Sequence, residues 1–290
     1  GIEKELIKRV ENILNSSELS INDKNKIIWK DNAIARLKKG NSYLNPEIEI
    51  IADDSLDEPS KFKLNTFLTK WLENHVNNVL GDLIELTKHK IGNQYLRGLV
   101  FQLYEKNGVL KRIDVDKIVK LIPAEERKRL WGMGIKIGRY HIYLPKMLKP
   151  KAVEFRINLW NLFFDLSDKY KIPQSGLNFL IDKRLDRDFL LLCGFEKFKE
   201  FFVRIDILEK LFIKIIENTK DKKFKIDASM MNLLGCSKEN FFKLMRYMNY
   251  KKDKEEDTYI FSGERQKKKK LLHFDNSENP FNKLRALNLK

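Results

Sequence analysis

The residues best suited to holding a phosphate or an unpaired base lie in one stretch, LWGMGIKIGRYHIYLPKMLKP, residues 130–150. Lys136, Arg139, Lys146 and Lys149 surround Tyr140, Tyr143 and His141. Cations so grouped make salt-dependent contacts to phosphates, and aromatic rings are platforms on which bases stack. A second set follows downstream in MMNLLGCSKENFFKLMRYMNYKK, residues 230–252, where Lys238, Lys243 and Arg246 point away from an apolar face made by Phe241, Leu244, Met245 and Met248. A third set, Arg265 with Lys267, Lys268, Lys269 and Lys270, is a basic run that reads equally as a solvated charge block or a phosphate contact.

Covalent and hydrolytic chemistry lacks its parts. The phosphate-binding pattern G-x-x-x-x-G-K-[ST] does not occur, and no glycine is followed by lysine. Asp57-Glu58 has the look of a helicase acidic pair but has no phosphate loop upstream. Asp53, Asp54, Asp57 and Glu58 read more simply as negative charge at the start of the next helix. His75, His89, His141 and His273 are scattered, and Cys193 and Cys236 show no metal-ligand spacing. There is no G-x-S-x-G elbow and no Cys–His arrangement. No catalysis is expected from this chain alone, no metal site and no cofactor of its own; His141 is the one histidine in a suggestive setting.

Lys and Arg number 57 against 41 Asp and Glu, a net charge of +16 over 290 residues. That excess favours a polyanionic partner, although a chain rich in Lys, Ile and Asn throughout carries part of it as compositional bias. Apolar residues make up 42%, enough for cores of several small domains. No run approaches a membrane span and no signal-peptide pattern opens the chain, so no membrane partner and a cytoplasmic location are expected. Gly1 stands where an initiator methionine would, as in a fragment or processed product.

Most segments read as helix. Ile2, Leu6, Val10, Ile13 and Leu14 recur at helical spacing over residues 2–15. A second helix is expected over 23–39, with Gly40 as its left-handed cap. Ile48 and Ile50 alternate after Pro46 as a short strand, and Pro59 opens a long helix with Phe67, Trp71, Val76, Val79 and Leu80 on one stripe. Helices follow over 93–105, from an N-cap at Asp114, and over AEERKRLW after Pro123. Gly138-Arg139 then reads as a two-residue type II′ turn pairing Ile137 with Tyr140 and Ile135 with Ile142. That register turns Tyr140 toward the core and leaves Lys136, His141 and Tyr143 on a polar-aromatic face, which makes Tyr143 the better stacking platform.

The expected fold is mainly α: a multi-helix accessory region with a β-hairpin at about 134–144 and a helix-turn-helix or winged-helix-like unit. Residues 1–58 form N-terminal helices and a short strand, and 59–170 a helical platform with the hairpin. Residues 171–226 are a helical connector, 227–263 the helix-turn-helix-like unit and 264–290 a basic tail.

IIADDSLDEPSK (50–61), GIKIGRYHIYLPKMLKP, FFVRIDILEKL (201–211), MMNLLGCSKENFFKLMRYMNYKK and ENPFNKLRALN (278–288), in this order, resemble the C-terminal region of large alphaproteobacterial superfamily 2 helicases. These are related to the mitochondrial helicase of the RNA degradation machinery. The resemblance implies a parent ATP-dependent helicase, with ATP and magnesium used by a motor that this chain lacks, and no catalytic residue carries over. It implies a piece that grips RNA or DNA, single-stranded RNA by preference, or docks a partner such as a ribonuclease or ribosomal component. A protein-docking scaffold with merely compositional charge is the alternative.

Overall fold

The computed structural model describes residues 1–51, 56–165, 179–181 and 186–261. It corrects the mainly α expectation. The described residues are 53% helical and 21% strand, with ten helices and four small antiparallel sheets, so the chain is mixed α/β.

Helix α1 (Ile2–Leu14) leads into an antiparallel meander of β1 (Leu19–Ile21), β2 (Lys26–Trp29), β3 (Asn32–Ser42) and β4 (Asn45–Ile50). The helix expected over 23–39 is therefore two strands. Lys30 and Asp31 sit at φ 45° and 63°, and Trp29 pairs directly with Asn32. Two consecutive positive φ values make the type I′ hairpin turn, which matches the twist of the strands it joins. Gly40 is no helix cap. It lies in β3, where an added Cβ would fall 1.9 Å from the Asn45 carbonyl oxygen.

Helix α2 (Glu58–Glu85) buries Leu64, Leu68, Leu72, Val76, Leu80 and Leu83 along one stripe over the sheet, each worth roughly 2 kcal/mol by area. Phe67, Trp71 and Val79 pack at its margins. Asp57 occupies the N-cap position without a side-chain cap bond, and Asp53 and Asp54 lie outside the described residues. Helix α3 (Gln94–Glu105) is capped by Asn93, whose side-chain oxygen accepts from the Tyr95 and Leu96 amides. Strand β5 (Val109–Lys111) and helices α4 (Arg112–Leu121) and α5 (Ala124–Gly132) follow. Helix α4 starts two residues before Asp114, which sits in its first turn, not at its cap.

Strands β6 (Lys136–Ile137) and β7 (His141–Tyr143) form the expected hairpin, with β7 central between β5 and β6. The register differs: Ile137 pairs with Ile142 and Lys136 with Tyr143, leaving residues 138–140 between the strands, with the Gly138 amide donating to the His141 carbonyl at 2.8 Å. A single 3-10 turn, Pro145–Leu148, leads to α6 (Pro150–Phe163). Strand β8 (Phe179–Ile181), α7 (Arg187–Leu192), β9 (Phe195–Phe198) and β10 (Phe201–Arg204) give a second small sheet in which β10 is central. The rest of the 171–184 connection lies outside the described residues.

Helix α8 (Ile205–Glu217), β11 (Thr219–Lys220), β12 (Lys223–Lys225), α9 (Ala228–Leu234), α10 (Lys238–Tyr247), β13 (Lys251–Lys252) and β14 (Thr258–Ile260) close the described chain. Gly235, at φ 64°, caps α9 in the left-handed conformation, and the Ser237 hydroxyl accepts from the Asn240 amide to start α10. The order helix, strand, strand, helix, helix, strand, strand, with β14 between β12 and β13, is like that of a winged helix with β11 added at one edge of the sheet. Phe224, Met230, Leu234, Phe241, Leu244, Met245 and Tyr259 fill its core.

Arg156 on α6, 1% exposed, donates to the carbonyls of Asn107, Met147 and Leu192 at 2.8, 2.7 and 3.0 Å. It thereby ties α3, the 3-10 turn and α7 to one point. Burial lowers its pKa below the ordinary arginine value.

The hairpin assignment of residues 26–42 has a direct test. Replacing Lys30-Asp31 by Asn-Gly is expected to raise stability by about 1 kcal/mol in urea unfolding, since non-glycine residues carry the positive φ values at a cost. A helix over 23–39 would instead be destabilised by the glycine.

Candidate nucleic-acid interface

The hairpin loop is fixed from below by a carboxylate. Glu209 on α8, 6% exposed, accepts the Arg139 amide at 2.6 Å and the Tyr140 amide at 2.9 Å. Gly138 does not have the positive φ of a type II′ turn. Its need for glycine has another origin: a Cβ there would lie 2.4 Å from the Glu209 carboxyl carbon. The Arg112 guanidinium donates to the Gly138 carbonyl and the Arg112 amide to that of Tyr140, each at 2.9 Å, closing the loop from the α4 side.

This arrangement removes both tyrosines from stacking. Tyr143 is 1% exposed, on the central strand against Val109 and Ile205, and burial raises its hydroxyl pKa to about 12. The polar-aromatic face read from the sequence is thus interior at His141 and Tyr143, and only Lys136 of its three members is exposed. Tyr140 packs into the winged-helix core, its hydroxyl 2.8 Å from that of Tyr250, with its pKa raised chiefly by burial. Arg139 lays its guanidinium 5.1 Å from the centre of the Phe212 ring, so it serves the junction with α8.

His141 is buried as well, at 2%, with Nε2 2.7 Å from a Glu196 carboxylate oxygen. Arg187 reaches both oxygens of that carboxylate at 3.0 and 3.2 Å, and Lys111 lies 4.0 Å away. Burial alone pushes the Glu196 pKa up, but the hydrogen bonds and charges of His141 and Arg187 outweigh it and hold the value at about 2. An ionised carboxylate accepts only, so Nε2 carries the shared proton. Nδ1 is buried with no hydrogen-bond partner among the described residues. A ring so enclosed meets no substrate from solvent.

The cations divide into paired and unpaired. On α10, Lys238 is 2.7 Å from Asp257 and Lys243 is 3.4 Å from Glu239, while Arg246 is exposed with its guanidinium 5.7 Å from the Tyr247 ring. The loop between β13 and β14 carries Asp253, Glu255, Glu256 and Asp257, and Asp253 pairs with Lys223 at 2.8 Å. Strand β13 and the loop beside α10 thus mix these carboxylates with exposed Lys251, Lys252 and Lys254. By contrast, Lys136 and Lys149 are exposed and make no ion pair among the described residues. Lys146 is exposed with a loose contact to Asp82 at 3.6 Å. The basic run Arg265 and Lys267 to Lys270 lies outside the described residues.

A neighbouring surface was not singled out from the sequence. Ala124, Arg127, Lys128 and Trp131 fall on one outward face of α5 and line a shallow depression. Arg129 donates to the Lys90 carbonyl at 3.0 Å and so holds the exposed residues Lys88, His89 and Lys90 beside this helix. Asp82 connects the surface to the hairpin, abutting Gly134 while facing Lys146. The signal available in the sequence was spacing: 124, 127, 128 and 131 form a helical stripe, small at Ala124 and cationic or aromatic at the other three. Among the described residues no three His, Cys, Asp or Glu side chains gather to hold a metal ion, and no helix is long and apolar enough to cross a membrane.

No family model, curated protein or solved structure matches this chain.

Gly138→Ala is expected to cost on the order of 2 kcal/mol in denaturant unfolding, through collision with the Glu209 carboxylate. Acid supplies a second check. The folded value of Glu196, about 2, lies below its ordinary 4.5, so its contribution is present above about pH 4.5 and disappears as pH falls toward 2. The loss is on the order of 3 kcal/mol, and Glu196→Gln is expected to remove that part of the pH dependence.

Proposed function

We propose that this chain is a non-catalytic nucleic-acid-binding platform that holds single strands, RNA in preference to DNA. The observation that carries the reading is an exposed tryptophan set among exposed cations: Trp131 with Lys90, Arg127 and Lys128, and Lys136 and Lys149 in the hairpin region, the cations free of ion pairs among the described residues. Cations without protein partners are the ones that exchange counterions for phosphates. Lys220, Lys222, Lys225, Lys251, Lys252 and Lys254 are likewise exposed and free of ion pairs among the described residues, so charge alone does not choose the face.

The resemblance to the C-terminal region of superfamily 2 helicases supports the same reading, with ATP and magnesium consumed by a motor elsewhere in the parent protein. Two free thiols, Cys193 and Cys236, suit a reducing compartment such as the cytoplasm. A protein-docking role is favoured by one feature: Ile213 and Ile216, one turn apart on α8, are 53% and 47% exposed. A ribonuclease or ribosomal component would then be the partner, retained after nuclease treatment.

Replacing Lys136, Lys146 and Lys149 together by Ala is expected to weaken binding of single-stranded RNA several-fold and to flatten its salt dependence, read by fluorescence anisotropy across a salt series. Lys238→Ala with Lys243→Ala is expected to leave both nearly unchanged. The reverse pattern would move the interface to α10.

A further inference from the structure

Trp131 is 83% exposed, the highest value among the large apolar side chains of the described residues. A single apolar residue at a surface needs no explanation by itself. Three features set this one apart. The rings of the other tryptophans are engaged: Trp29 lies under the Lys30 ammonium, Trp71 stacks on His75 at 5.1 Å, and Trp160 meets Tyr43 edge-on at 5.1 Å. Trp131 has no ring contact among the described residues. Its indole projects from the C-terminal turn of α5, a helix anchored from beneath by Leu130 and Met133, so it is held on a firm base and leaves its faces open. Arg127 stands one turn before it and Lys128 three residues before it on the same face, neither engaged with a carboxylate among the described residues.

From this geometry we infer that Trp131 is a stacking platform for an unpaired nucleobase, with Arg127, Lys128 and Lys90 holding the phosphates on either side. The inference rests on the nucleic-acid reading above and assigns it a specific contact. The ligand class follows from the chemistry. A flat indole with open faces accepts any base by stacking, whereas the bases of a duplex present only edges to a protein. Cations within one turn of the ring match a chain that alternates base and phosphate. Glu125 and Glu126 lie on the same helix but off this face, and Glu126 is engaged by Arg129 at 3.1 Å. An acidic peptide would also meet the cations but gains nothing from an aromatic platform, and an apolar protein groove would have to desolvate Arg127 and Lys128.

The test uses the whole chain with a labelled oligouridylate, its deoxy counterpart and an abasic ribose–phosphate oligomer, titrated by anisotropy at several salt concentrations. Trp131→Ala is expected to weaken oligouridylate binding roughly ten-fold, the size of one base–aromatic stack, with an unaltered salt slope. Trp131→Phe should recover most of the loss, and the abasic oligomer should bind wild type and Trp131→Ala alike. Arg127→Ala with Lys128→Ala should lower the salt slope by roughly 0.7 per cation removed. Since Trp131 is exposed, its loss leaves the fold intact. If wild type binds single strands and Trp131→Ala binds them equally well, the platform is refuted while the nucleic-acid reading stands. If wild type binds neither RNA nor DNA single strands, both fall.

Discussion

Glu209 fixes the hairpin loop where three parts of the structure meet. One buried carboxylate receives two consecutive amides of the hairpin loop, and the residue before them must be glycine because a Cβ would occupy the carboxylate's place. The loop thus docks onto α8, which is the first helix of the winged-helix unit, while its strands remain part of the β5-β7-β6 sheet of the N-terminal region. Tyr140 reaches across into the winged-helix core, and His141, next along the chain, meets Glu196 of the β9 strand. Three consecutive residues therefore join three parts of the structure. A buried carboxylate is costly unless its hydrogen bonds are made, so the arrangement favours one docking geometry over slid or rotated ones.

Given that brace, the chemistry of the hairpin stretch separates into two roles. Its aromatic and imidazole side chains are spent inside, on packing and on the Glu196 cluster. Its lysines at 136, 146 and 149 remain outside, and Lys146 faces Asp82, which abuts Gly134 just beyond α5. The winged-helix-like unit has Lys238 on α10 tied to a carboxylate of the neighbouring loop, beside exposed Lys251, Lys252 and Lys254. Topology alone does not fix what such a unit binds.

Much of the helical framework was legible in the sequence. Helix α1, the long α2 and the pair α9 and α10 follow from apolar spacing and from caps at Gly235 and Ser237. Strands β2 and β3 were not, because Ala-Arg-Leu-Lys-Lys favours helix locally and Lys30-Asp31 is not a residue pair that announces a type I′ turn. The hairpin was visible but its register was not. The group that sets it, Glu209, lies 70 residues downstream of Arg139. Distance in sequence likewise hid the burial of Tyr143, which packs against Val109 of β5 and Ile205 of α8, whereas Tyr140 turns inward as expected. Exposed lysines could be read from the hairpin stretch, whereas the exposure of Trp131 could not, since an indole on a short helix is ordinarily core.

The most direct test is photocrosslinking of a single-stranded RNA carrying thiouridine, followed by mapping of the crosslinked peptides on the intact chain. The account predicts crosslinks within residues 124–149, with the strongest yield at the peptide containing Trp131. Crosslinks confined to residues 237–257, on α10 and its acidic loop, would contradict it.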